Sequence, residues 1–154
     1  MSDQQESKGP STSQRKRARK LVLQALYQWQ LSKSSLSQIE AEFRTDNDFA
    51  KVDTEYFSEV FYAIPKMVDE LDKQFDVFLD RAIAEVDPIE VSLLRMGAYE
   101  LMHRVDIPYR VVLNEAVELA KQFGGTDGHK YINGILDKLS LRLRSAETSR
   151  FKKS

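Results

Sequence analysis

The sequence predicts an all-α protein, on three observations. Apolar residues recur at the three-and-four spacing of a helical face in segment after segment. No alternating apolar run is long enough to predict a strand. The breaks between segments carry helix punctuation, with Ser34-Ser35, Asp53, Asp87-Pro88 and Gly124-Gly125 at the joints. No repeat with a fixed period is visible, which argues against a helical solenoid.

Taken in order, MSDQQESKGPSTS (1–13) is polar and predicts a disordered tail, with order beginning near Ser13 or Gln14. The first helix then buries Ala18, Leu21, Val22, Ala25, Leu26 and Trp29, with Leu23 and Tyr27 as a second stripe. Ser34 or Ser35 caps a short second helix that turns Leu36, Ile39 and Phe43 inward, and TDNDFAKV follows as a loop. Asp53 caps a long third helix carrying Phe57, Val60, Phe61, Ile64, Met67, Val68, Leu71 and Phe75, in which Pro65 predicts a kink near Phe61 rather than two separate helices.

Asp87-Pro88, a cap followed by proline at the first helical position, opens a fourth helix. Its residues Ile89, Val91, Leu93, Leu94, Met96, Ala98, Leu101 and Met102 exceed one stripe, so it is central to the core or shared with a partner. A fifth helix follows Pro108, with Val112, Ala116, Val117, Ala120 and Phe123 inward, and stops at Gly124-Gly125. A sixth starts near Asp127 and buries Ile132, Ile135, Leu136, Leu139 and Leu143.

At 154 residues and 42% hydrophobic, the chain suffices for one globular domain or two small halves. No apolar stretch approaches the roughly 20 residues of a membrane span, and the absence of cysteine suits a reducing compartment, so a cytoplasmic protein is expected. The net charge of −1 hides a division into blocks: residues 14–31 carry +5, residues 32–141 carry −9 and residues 142–154 carry +4. Positive charge at the two ends of an otherwise acidic chain points to a localised anionic partner.

Catalysis has little to stand on. His103 and His129 are 26 residues apart, in no metal-ligand spacing, and no metal or cofactor is expected. FGGTDGHKYING lacks the Gly-Lys-Ser/Thr ending of a phosphate loop and reads as a helix stop and the next helix start. The many carboxylates fall on solvated helix positions, with no apolar pocket to raise a pKa.

Two stretches suit RNA better. Arg15, Lys16, Arg17, Arg19 and Lys20 crowd the expected start of the first helix, the end its dipole makes positive and where cations are disfavoured. Backbone donors, dipole and guanidinium groups converge there as an external phosphate requires; the alternative is an ordinary solvated helix start. Lys121, His129 and Lys130 likewise neighbour Phe123 and Tyr131, cations beside rings on which unpaired bases stack, though both rings are also ordinary core candidates.

RKRARKLVLQALYQWQL, LLRMGAYEL and, above all, IPYRVVLNEAVELAKQFGGTDGHKYINGILDKL resemble the NusB family of bacterial transcription antitermination factors, over about Arg15 to Leu143. The resemblance implies two small helical bundles packed across each other, about six to seven helices, divided as 14–79 and 80–144, with 145–154 a basic C-terminal tail for which disorder is expected. It implies no catalysis. It also implies binding of the boxA element of ribosomal RNA operon transcripts, together with the ribosomal protein NusE, in a complex with other Nus factors and RNA polymerase. By matching motifs, Arg15, Lys16, Arg17 and Arg19 fall on the family's RNA-binding start, and Phe78, Phe123, Asp127 and Tyr131 on its RNA-facing edge. Lys16 and Phe78 replace an expected arginine and tyrosine, which removes a guanidinium fork and a hydroxyl. The NusE-facing surface falls near Tyr27, Glu90, Leu94 and Ala98. Replacing Arg15, Arg17 and Arg19 by alanine is then expected to weaken RNA binding with little effect on stability. The competing expectation is a helical protein-protein adaptor that binds no specific RNA.

Overall fold

The computed structural model describes residues 9–153, and all its regular structure is helical. Eight α-helices are present among the described residues: α1 (Thr12–Leu31), α2 (Leu36–Asp46), α3 (Thr54–Lys66), α4 (Val68–Phe75), α5 (Pro88–His103), α6 (Tyr109–Phe123), α7 (Gly128–Leu143) and α8 (Ser145–Lys153). Short 3-10 turns cover Phe49–Lys51, Asp76–Phe78 and Ile83–Glu85.

Four of the eight helix starts follow from a local side-chain cap. Ser35 Oγ accepts from Gln38 N, Asp53 Oδ1 from Tyr56 N, and Asp87 Oδ1 from Ile89 N, each satisfying a first-turn donor. Helix α1 begins earlier than its apolar stripe suggests. Ser11 Oγ accepts from Gln14 N at 3.1 Å while Gln14 Oε1 accepts from Ser11 N at 2.7 Å, a reciprocal capping box. Of the expected tail, residues 1–8 lie outside the described residues, and its last residues are helix and cap.

Three expectations are revised. The long third helix is two helices: Pro65 deprives the last turn of α3 of a backbone donor, and Met67 leaves helical geometry at φ −119°, ψ 18° before α4 begins. The break therefore lies beyond the proline, not at Phe61. Gly124 ends α6 in extended geometry at φ −87°, ψ 177°, so left-handed freedom is not its purpose. A Cβ there would lie 2.8 Å from the Ala120 carbonyl oxygen, and that close approach requires glycine. The positive φ of 61° falls instead on Asp127, the residue before α7. Finally, the chain does not end in a loose tail after residue 144: Ser145–Lys153 is helical, because Arg144 and Glu147 anchor its start.

Contacts group the chain into two compact units, one up to Tyr62 and one from Ala63 onward, rather than dividing near residue 79. Helix α4 belongs with the second unit for a visible reason. Arg95 of α5 grips Asp72 of α4 through two bonds of 2.9 Å.

The core of the first unit contains Ala18, Val22, Ala25 and Leu26 of α1, Ile39 of α2, and Tyr56, Phe57 and Phe61 of α3, all buried. Phe49 and Phe57 meet edge to face at 5.3 Å. In the second unit α5 is the central element, packed on α4, α6 and α7. It is buried on nearly every side, including Val91, Leu93, Leu94, Met96, Ala98 and Leu101. No described helix is long and apolar enough to cross a membrane.

Candidate nucleic-acid interface

In the first unit, the basic block of α1 does not stand at the bare end of the helix. One first-turn donor, Gln14 N, is taken by Ser11 Oγ, and the cations begin one turn in, at Arg15. The basic side chains thus start from the second turn of α1 rather than from its capped end.

The five cations divide into two kinds. Arg15 Nε donates to Asp53 Oδ2 at 2.7 Å, and its guanidinium lies 4.8 Å from the centre of the Tyr56 ring. Arg19 stacks on the same ring at 5.3 Å and is only 5% exposed. Both arginines therefore hold α1 to the start of α3, with Asp53 itself 2% exposed. Lys16 and Arg17 are exposed and Lys20 is half-buried. Arg17 donates to the carbonyl of Lys51 at 3.2 Å, which keeps its charge at the surface.

In the second unit, the expected RNA-facing residues lie on the segment after α4 and on the junction between α6 and α7. Phe78, Phe123, His129 and Tyr131 are half-buried, whereas Lys121, Asp127 and Lys130 are exposed. Lys121 lies 3.9 Å from Glu118 and Lys130 3.4 Å from Asp127, exposed pairs of little energetic weight.

The rings are not bare. Arg81 stacks on Tyr131 at 5.1 Å and grips Asp80 at 2.7 and 3.0 Å, while the Tyr131 hydroxyl donates to Asp80 Oδ1 at 3.0 Å. The two donors hold the Asp80 carboxyl down at about 2, the Arg81 bond contributing most. The Tyr131 phenol is raised, first by burial and then by its bond to Asp80. Arg142 in turn stacks on Phe78 at 5.3 Å and donates to the Gln74 carbonyl. Tyr131 and Phe78 are thus each backed by a guanidinium, a combination that presents flat surface and positive charge together.

Asp80, Arg81 and Arg142 were not predicted from sequence. Asp80-Arg81 sits in a segment without periodic signal, and Arg142 is one cation among several in the C-terminal basic block.

The expected partner face is revised. Tyr27 is 36% exposed on α1 and remains available, but Leu94 and Ala98 are fully buried and Glu90 is 9% exposed. The excess apolar residues of α5 reflect its central place in the second unit. Glu90 has its pKa raised, by burial first and by Asp87 second, with Arg81 opposing.

The sequence profile described as the NusB family matches residues 16–141. The chain is 59% identical over 135 residues to the transcription antitermination protein NusB of Hahella chejuensis, covering 88% of this chain and 91% of that one. It is 52% identical over 146 residues to the protein of the same name from Pseudomonas fluorescens, covering 95% and 88%. Among solved structures, T. maritima NusB superposes with a TM-score of 0.71 at 29% identity, over 81% of this chain and 89% of that one. A chain from a complex of the antitermination factors NusB and NusE with double-stranded RNA superposes with a TM-score of 0.72 at 23% identity, over 84% and 97%, a likeness of fold.

Proposed function

Because the chain belongs to the NusB family, we propose that it acts, without catalysis, as a transcription antitermination factor that holds boxA RNA of ribosomal RNA operons together with NusE. Its place of action on this reading is the cytoplasm, in a complex with other Nus factors and RNA polymerase. The carrying observation is the identity to proteins of that name along nearly the whole chain.

The side chains support the RNA half of the reading. Each unit has a surface suited to it: exposed Lys16 and Arg17 in the first, and the guanidinium-backed rings of Phe78 and Tyr131 in the second. Lys121, Phe123, Asp127 and Lys130 border the second surface in the proposed role. Tyr27, half exposed on α1, is the residue best suited to meet NusE, and an aromatic of this kind is a common interface anchor.

The test is fluorescence anisotropy with boxA RNA and a scrambled RNA at one fixed salt concentration, with and without NusE. Selective binding of boxA, strengthened by NusE, is the expected result. Equal affinity for both RNAs, unchanged by NusE, would sink the proposal.

A further inference from the structure

In the first unit, α1 and the loop joining α2 to α3 border a cleft of about 430 Å³, within the size range of small-ligand pockets. Its floor is apolar, made by Leu21 and Val52, both nearly buried. Its walls carry the amides of Gln24 and Asn47, and its rim the cations Arg17, Lys20 and Lys51 against the single carboxylate of Asp48.

Several of these groups have little else to do. Among the described residues, the Gln24 amide has no hydrogen-bond partner, and neither Arg17 nor the Lys51 ammonium is neutralised by an ion pair. Asn47 commits one amide hydrogen to the Phe43 carbonyl at 3.0 Å, which holds its side chain at the cleft wall. The Asp48 carboxylate accepts from Ala50 N at 3.1 Å, so it is tied to its own loop. The lining is net positive in a chain whose net charge is −1.

An apolar floor, two amides and three cations describe the three parts of a nucleotide. A base lies flat on branched aliphatic carbon, amides pair with the polar edge of a base, and guanidinium or ammonium groups take the phosphate. Inorganic phosphate would use the rim and leave the floor and amides idle. We propose that this cleft takes one unstacked nucleotide, its base on Leu21 and Val52 with the edge at Gln24 and Asn47, and its phosphate at Arg17, Lys20 and Lys51. The inference rests on the RNA-binding reading for the source of that nucleotide, since a free nucleoside monophosphate has the same chemistry. It adds Gln24, Asn47 and Lys51 to the residues that read RNA.

The experiment is a set of two-dimensional amide NMR titrations of the full chain with each of the four nucleoside monophosphates, with inorganic phosphate, and with boxA RNA. Expected are shifts at residues 20–24 and 47–52 with at least one monophosphate and with RNA. Lys51→Glu should weaken monophosphate binding about fivefold or more at unchanged melting temperature, through loss of a charge-assisted contact. Gln24→Leu should reduce the differences among the four bases. Identical shifts with inorganic phosphate at equal affinity, or none with any monophosphate, would overturn the nucleotide site. RNA that binds while leaving these amides unmoved overturns RNA as the source. Should RNA fail to bind anywhere while a monophosphate shifts the cleft, the RNA-binding reading falls and the nucleotide site stands.

Discussion

Gly128, the first residue of α7, lies so close to Glu90 in the first turn of α5 that a Cβ on it would clash with the Glu90 Oε2 oxygen. Both residues are buried, and the left-handed Asp127 immediately precedes the glycine. The contact therefore locks the approach of two helix starts. Gly128→Ala should displace the carboxylate and lower stability by about 1 kcal/mol, since the obstacle is the end of a flexible side chain rather than backbone. In thermal melts the cost of Gly128→Ala should shrink in a Glu90→Ala background, where the obstructing carboxylate is gone. Strict additivity would mean that the two residues do not interact.

Glu90 should also destabilise the protein at neutral pH. Burial raises its pKa above the ordinary 4.5, so the folded state holds the proton more tightly than the unfolded chain does. The stability this contributes is present below the ordinary value and is lost as pH rises through the raised one. Glu90→Gln should therefore melt higher than the natural chain at pH 7, with the advantage shrinking in acid. A difference independent of pH between 3 and 8, on the scale of ordinary carboxyl titration, would contradict this.

Asp80 behaves in the opposite sense. Its carboxyl titrates at about 2 because Arg81 and Tyr131 both donate to it. Stability from this depressed value is present above the ordinary 3.8 and is lost as pH falls toward 2. In carbon-detected NMR titrations, Arg81→Gln should move the Asp80 midpoint up further than Tyr131→Phe does, because the arginine bond is the larger cause.

Arg144 is a buried cation tied into the fold at several points. Its guanidinium donates to the carbonyls of Leu101 at 3.0 Å, Ile107 at 3.0 Å, Glu100 at 3.2 Å and Arg104 at 3.0 Å, and to Glu147 Oε1 at 2.7 Å. Two of these carbonyls, Glu100 and Leu101, lie in the last turn of α5, and at Glu100 the guanidinium adds to the Arg104 N–H already accepted there. Arg144→Ala should cost about 3 kcal/mol or more, as expected when a buried charge network loses its centre. Denaturant unfolding would measure it, and a loss below about 1 kcal/mol would show the network to be dispensable.

The basic start of α1 should separate by residue. Arg15→Ala strips the guanidinium from the buried Asp53 and should lower stability by about 1–3 kcal/mol. Arg17→Ala should change stability by no more than about 0.5 kcal/mol, as for an exposed side chain, while weakening RNA binding and reducing its salt slope by about 1. The triple alanine variant at Arg15, Arg17 and Arg19 is thus expected to lose stability as well as RNA affinity. Melting curves of the single variants, set beside anisotropy at several salt concentrations, distinguish the two roles.

These outcomes mark where sequence reading is strong. The caps at Ser35, Asp53 and Asp87 were legible because a cap acts within three residues of itself. The residues proposed to face RNA are nominated by family motifs, chiefly the long one near residues 107–139 and the basic block of α1. Asp80 was not, because its partner Tyr131 lies 51 residues away in sequence.

By itself the sequence determined the all-helical class, most helix starts and the family, since periodicity, capping and motif are written in consecutive residues. Only the tertiary structure decided which cations are structural. Arg15 and Arg19 look like Arg17 in the sequence but meet Asp53 and Tyr56 in the fold. It likewise turned the expected C-terminal tail into α8, because Glu147 accepts from the backbone of Tyr109, 38 residues earlier. A side chain's charge is local, but whether that charge is spent inside the protein or left for a ligand depends on which distant groups the fold brings within hydrogen-bond reach.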